Sequence, residues 1–134
     1  MMYILDTNVI ADLIHLNAQV RANLAAARQA NADIMMTRPV YYEVVRGLVK
    51  QQATRKLRIF RQDLLPLMKQ EPLQDEDWEQ AAHFWAAAVS KGRQLSDIDL
   101  LLAAMAHRRG AILISSDTDF DALTIQRQDW RLAT

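Results

Sequence analysis

Four acids stand out by position: Asp6, Glu43, Asp99 and Asp117 each follow an apolar run or open a helix that leads into one. Asp6 ends the run Tyr3-Ile4-Leu5 and precedes Val9, Ile10, Leu13 and Ile14, which recur at helical spacing, with the capping and turn residues Thr7 and Asn8 between. Glu43 lies one turn beyond Pro39, on the helix that leaves a second apolar run. Asp117 is the first acid after a third run, and Asp99 begins the helix that feeds that run. Any one of these acids alone says little. Several carboxylates brought within a few ångströms, however, destabilise one another's ionised forms unless a cation neutralises them. Asp and Glu oxygens, with no His or Cys at ligand spacing, select Mg²⁺ or Mn²⁺ over zinc. Such ions polarise a phosphodiester, generate hydroxide from bound water and stabilise a leaving oxygen.

The elements that must gather these acids are legible from periodicity. Tyr3 to Leu5, Asp33 to Thr37 and Ala111 to Ile114 lack polar alternation, as strands of a parallel sheet buried on both faces do. In open α/β sheets ligands bind in the crevice beyond the carboxyl ends of the strands, which is where Asp6 projects. Helices are expected from Val9, over Val20 to Ala30, and from Val40 to Gln52. Another is expected from Ser96 to Arg109, closed by Gly110. Ser96 and Asp99 match a capping box, so plain helix capping accounts for acids there as well. At about 100° per residue Asp97 shares a face with Arg108, whereas Asp99 shares one with Leu102, Ala103 and Ala106. An ionised acid among apolar neighbours is costly unless paired or metal-bound, which makes Asp99 the functional candidate of the two.

Thr54 to Met68 reads as amphipathic and helical, with Leu57, Phe60, Leu64 and Ile59 inward and Arg55, Lys56, Arg58 and Arg61 outward as a solvated face or as an edge that contacts phosphates or a partner. A short strand is expected within Leu67 to Leu73, and an edge strand within Ile125 to Trp130. Asp75 to Lys91 carries acids in its first turn and Gly92 past its end; its Trp78, Ala82, Trp85 and Val89 recur at helical spacing as core or interface residues. The chain is expected to end at Thr134 without a tail.

The 134 residues suit one domain that buries roughly two-thirds of its unfolded surface, and composition that is 51% hydrophobic with three Gly and three Pro fits a helix-rich globule. Sixteen basic residues balance sixteen acidic ones, which argues against binding nucleic acid with the whole surface. If an ion neutralises a pocket of acids, the remaining surface is net basic. The absence of Cys excludes disulfides, zinc thiolates and a thiol nucleophile. No charged leader and no stretch of about 18 apolar residues is present, so a cytoplasmic location without membrane association is the expectation. His15, His83 and His107 are scattered on helices, Ser115-Ser116 lacks a base, and no Gly-rich phosphate loop occurs.

The segments LDTNVI with Asp6, YYEVVRGL with Glu43, DLLLAAMA with Asp99 and LISSDTDF with Asp117 closely resemble the PIN domain, specifically VapC-type ribonuclease toxins. The resemblance spans the chain in order. It implies an α/β three-layer sandwich with a central parallel five-stranded sheet. It also implies a Mg²⁺- or Mn²⁺-dependent endoribonuclease that acts on RNA, dimerises and is inhibited by a cognate antitoxin. By motif position Asp6, Glu43, Asp99 and Asp117 take the catalytic and metal-site roles, with Thr7 or Asn8 orienting Asp6. Asp97 and Asp119 fall where relatives often carry acids, and Asp119 could act through water. Arg38 and Arg46 are the candidates for contact with RNA or antitoxin. Two readings compete. DTNV also resembles the nucleophile loop of haloacid-dehalogenase phosphatases, although Asn8 replaces their second Asp and no motif lysine is evident. The other is a PIN-like module that binds RNA or a partner without turnover.

Overall fold

The computed structural model describes residues 1–132; the chain end at Thr134 lies outside the described residues. Five strands, β1 (Met2–Leu5), β2 (Asp33–Thr37), β3 (Lys69–Glu71), β4 (Ile112–Ile114) and β5 (Gln126–Gln128), form one sheet in the order β3-β2-β1-β4-β5. Every pairing is parallel. Consecutive residues of the central strands, Ile4 and Leu5 on β1 and Leu113 and Ile114 on β4, are all fully buried. Because neighbours in a strand point to opposite faces, both faces of the sheet are covered, and the expected three-layer architecture follows.

Six helices supply the covering: α1 (Thr7–Ile14), α2 (Ala18–Gln29), α3 (Arg38–Lys50), α4 (Thr54–Ile59), α5 (Asp75–Ser90) and α6 (Asp97–Arg109). Chain order relative to sheet order locates the site. From β1 the chain moves outward through β2 to β3, then crosses back to place β4 and β5 on the other side of β1. The direction of winding therefore reverses between β1 and β4. That switch point, at the carboxyl ends of these two strands, is where such sheets open a crevice.

One expectation changes and one narrows. Thr54 to Met68 is not one helix: α4 ends at Ile59, a π-turn covers Phe60–Leu64, and a 3₁₀ turn Leu65–Leu67 follows. Pro66 has no N–H to continue the α-helical ladder, and the widened turn, closed by the Leu65 N–H on the Phe60 carbonyl, relieves the crowding ahead of it. Phe60 and Leu64 still point inward as expected.

On α5 the buried residues are Asp77, Ala81, Phe84 and Ala88, whereas Trp78, Ala82, Trp85 and Val89 face solvent. Of the two readings of the apolar stripe, core or interface, its exposure removes the core one, and the core-facing stripe lies one residue, or about 100°, away. The true stripe includes an acid because Asp77, only 1% exposed, is paired with Arg108 on α6. The expected strands at β3 and β5 are present as short edges, and the three histidines are exposed.

Candidate active site

Asp6 leaves β1 at the switch point and is anchored there from several sides. Its backbone N–H donates to the Ile114 carbonyl on β4 at 2.9 Å, which extends the β1–β4 ladder by one step. One carboxylate oxygen accepts from the Thr7 N–H at 2.7 Å, so Asp6 caps α1. The other accepts from the Ser115 hydroxyl at 2.7 Å and the Asn8 amide at 3.2 Å. Asp6 is only 4% exposed, and none of these partners is a cation. Burial is the largest influence on its carboxyl and pushes its pKa up to about 6; the Ser115 and Thr7 hydrogen bonds restrain the rise, while the charges of Asp99 and Glu43 add to it.

Glu43 reaches this pocket from the second turn of α3. It accepts a hydrogen bond from the Thr7 hydroxyl on one oxygen and lies 3.5 Å from Arg46 on the other. Asp99, at the third position of α6, accepts from the Ser96 N–H at 3.2 Å, and the Ser96 hydroxyl accepts from the Asp99 N–H at 3.1 Å. Its pKa is raised chiefly by burial, with the charges of Glu43 and Asp117 contributing. Asp117 follows β4 and caps a short 3₁₀ turn by accepting from the Asp119 N–H at 2.9 Å. The charges of Asp99 and Glu43 act on Asp6, and those of Glu43 and Asp117 act on Asp99, so the four acids form one electrostatically linked group.

The neighbouring candidates separate from this group. Asp97 is exposed and lines a surface cavity with Trp78 and Trp85. Asp119 has a counterion, Arg93, at 2.9 Å. Thr7 orients Glu43 with its side chain and Asp6 with its backbone, and Asn8 orients Asp6 directly. Arg46 borders the pocket through Glu43, whereas Arg38 stacks over Tyr41 and bonds to Gln70 further along the same flank.

Ser115 is the residue that sequence reasoning undervalued. Considered there only as a nucleophile, it is fully buried and serves as a junction: it donates to Asp6 and accepts from the Asn8 amide at 3.1 Å and the Asp117 N–H at 3.0 Å. Asn8 also accepts from the Ser116 N–H at 3.3 Å, so the loops after β1 and β4 are laced together. The register pairs Leu5 with Ile114, which sets Asp6 beside Ser115 as the next residues along two adjacent strands. Knowledge of that adjacency would have found the junction. Asn8, fully engaged in this lacing, stands where the phosphatase reading needs a general acid.

The donor set is all oxygen and anionic, which fits a hard divalent ion. As the side chains stand, no three acids or imidazoles among the described residues are drawn close enough to hold one ion. The reason is local: Glu43, Asp99 and Asp117 are each turned toward a neighbouring donor.

The PIN domain family model matches residues 3–125. A ribonuclease, VapC1 of Haemophilus influenzae, is 27% identical, with 97% of this chain and 98% of that protein aligned. Among solved structures, VapBC2 from Rickettsia felis bound to a promoter DNA fragment matches with a TM-score of 0.82 at 23% identity, covering 97% of this chain and 99% of that one. FitAcB from Neisseria gonorrhoeae matches with a TM-score of 0.82 at 22% identity, covering 96% and 98%.

Proposed function

The chain belongs to the PIN domain family, and from that premise we propose that it is a Mg²⁺- or Mn²⁺-dependent endoribonuclease, the cytoplasmic toxin of a toxin–antitoxin pair. The observation that carries this reading is Asp6: a carboxylate buried at the switch point, without a cationic partner among the described residues, and acted on by the charges of Asp99 and Glu43. The protein would hold it ionised at neutral pH only against burial and repulsion, and a divalent ion removes both costs. Asp6, Glu43, Asp99 and Asp117 would hold the ion, which when bound polarises a phosphodiester and lowers the pKa of water. Ser115, Asn8 and the Thr7 N–H fix the rotamer of Asp6, and the Thr7 hydroxyl steers Glu43. These contacts pre-organise the acids, as partners of metal ligands do. Similar proteins include a ribonuclease and, among solved structures, a toxin–antitoxin complex from Klebsiella pneumoniae, which favours RNA as substrate and an antitoxin as partner.

Purified protein incubated with single-stranded RNA tests the reaction. Cleavage is expected with Mg²⁺ or Mn²⁺ and lost in chelator; cleavage that survives chelation, or that requires zinc, overturns the oxygen-ligand reading. Expression alone should slow growth and co-expression of the antitoxin should restore it. Normal growth with abundant folded protein would count against the toxin role.

We also propose a homodimer joined through the solvent face of α5. Trp78 and Trp85 are 58% and 55% exposed there, with Val89 on the same stripe. Large apolar side chains grouped on one face mark an interaction surface. Trp85→Glu should convert a dimer into a monomer in sedimentation; a dimer that persists would move the interface elsewhere. An apolar groove between α1 and α3, lined by Ile14, Val44 and Leu48 and opening beside Thr7 and Glu43, suits the antitoxin segment.

A further inference from the structure

Tyr42 precedes Glu43 on α3, and it is 58% exposed although aromatic side chains tend to be buried. It does not stand alone. The Arg46 guanidinium, one turn later, lies over its ring at 5.0 Å, and the same guanidinium is 3.5 Å from a Glu43 carboxylate oxygen. Arg38, one turn earlier, lies over the adjacent Tyr41 ring at 4.3 Å. A cationic and aromatic ridge therefore runs along α3 and meets the acidic crevice at Glu43. Tyr41 is packed against Phe60 and is half-buried, so Tyr42 is the ring of this ridge that a ligand can cover.

We infer that Tyr42 and Arg46 form a stacking platform for single-stranded RNA, on which a nucleobase next to the cleaved phosphodiester rests; the inference depends on the ribonuclease reading above. Three features select an unpaired strand. Tyr42 presents a flat π surface, and Arg46 presents a guanidinium plane, and bases stack on both. The positions a turn to either side of Tyr42 are Arg38 and Arg46, so the platform supplies cations for backbone phosphates instead of an apolar pocket for a peptide side chain. The guanidinium that lies over the ring also contacts Glu43, so a strand stacked on Tyr42 is brought next to that acid. Duplex RNA keeps its bases inside the helix and offers nothing for Tyr42 to stack on.

The test compares Tyr42→Ala, Tyr42→Phe and Tyr42→Trp with the wild type in steady-state cleavage of a short single-stranded RNA. The substitutions are at an exposed position, and melting curves confirm that each variant is folded. Tyr42→Ala should raise KM roughly tenfold and change kcat less than twofold, while the two aromatic variants behave as the wild type. An RNA with an abasic nucleotide beside the cut should bring the wild type down to the level of Tyr42→Ala. Arg46→Gln should also raise KM and flatten its dependence on salt. Wild-type cleavage with an unchanged KM in Tyr42→Ala overturns the platform and leaves the ribonuclease reading intact. Failure of the wild type to cleave or to bind any RNA overturns the ribonuclease reading first, and the platform with it. Weakened antitoxin binding by Tyr42→Ala with RNA kinetics unchanged would also overturn it, because the occupant is then a protein chain.

Discussion

The first turns of α5 and α6 are built alike and do opposite things. Each carries an aspartate at its third position, Asp77 and Asp99, in a capping box with the residue three places earlier. One oxygen of Asp77 accepts from the Gln74 N–H at 2.8 Å; one oxygen of Asp99 accepts from the Ser96 N–H at 3.2 Å. The other oxygen decides the role. For Asp77 it accepts from Arg108 at 2.8 Å, and Arg108 and Arg109 also reach Glu71 at the end of β3. Asp99 instead faces Glu43 and Asp117. Because the amino end of α5 packs beside the carboxyl end of α6, the two caps lie at opposite poles of the helix pair. One pole has its counterions built in and holds the fold. At the other, Asp6 and Asp99 have no counterion among the described residues.

Exchanging carboxylate for amide at both caps probes this contrast most strongly. Asp99→Asn should lower RNA cleavage by roughly 10²–10³-fold or more, on the scale of removing one preorganised electrostatic group from an active site. Its melting temperature should stay at or above that of the wild type, because a repelled charge is removed. Asp77→Asn should leave kcat unchanged in folded protein but cost about 3 kcal/mol in denaturant titration, since Arg108 loses its buried partner. Arg108 keeps Glu71, which places the loss near the low end for broken buried pairs. Equal activity losses in the two variants would erase the distinction between the poles.

Between about pH 5 and 7.5 protons and divalent ions should act together at the acid pole. The Asp6 carboxyl has a pKa near 6 in the fold against 3.8 when unconstrained, so between those values the folded state binds the extra proton. Stability of the metal-free protein from this group is thus greatest at low pH and is lost as pH rises through 6, by up to roughly 3 kcal/mol. Mn²⁺ should offset that loss. The expected readout is a rise in melting temperature on adding Mn²⁺ that is large at pH 7.5, small at pH 5 and absent in Asp6→Asn. A rise of equal size at both pH values, or one that persists in Asp6→Asn, would place the ion elsewhere.

The three central strands, the acids at their ends and the different faces of α6 on which Asp97 and Asp99 lie were legible because each follows from local periodicity. Contacts between segments distant in sequence were not. Ser115 becomes a junction only because β4 lies beside β1, a pairing across more than a hundred residues. Which stripe of α5 faces the core has the same origin. Trp78, Ala82, Trp85 and Val89 have the spacing of Asp77, Ala81, Phe84 and Ala88, and the first set looks the more apolar until Arg108 is known to neutralise Asp77. The break of the amphipathic segment after Ile59, by contrast, could have been read from Pro66 alone.

Asp97 provides the smallest test and the control for the others. It sits in the same turn as Asp99, about 200° around α6, and is exposed. It accepts no hydrogen bond from another side chain among the described residues and takes no part in the charge repulsion within the crevice. What remains is its favourable position at a helix amino end, typically worth about 0.3–1 kcal/mol. Asp97→Asn should therefore lower stability by no more than that and leave cleavage within twofold of the wild type. The residual effect should shrink in high salt, which screens an exposed charge while leaving a metal ligand's contribution in place. If Asp97→Asn were the inactive variant and Asp99→Asn the active one, the acid pole would have to be rebuilt on the other face of α6, beside Trp78 and Trp85, and the contrast between the two caps would fail with it.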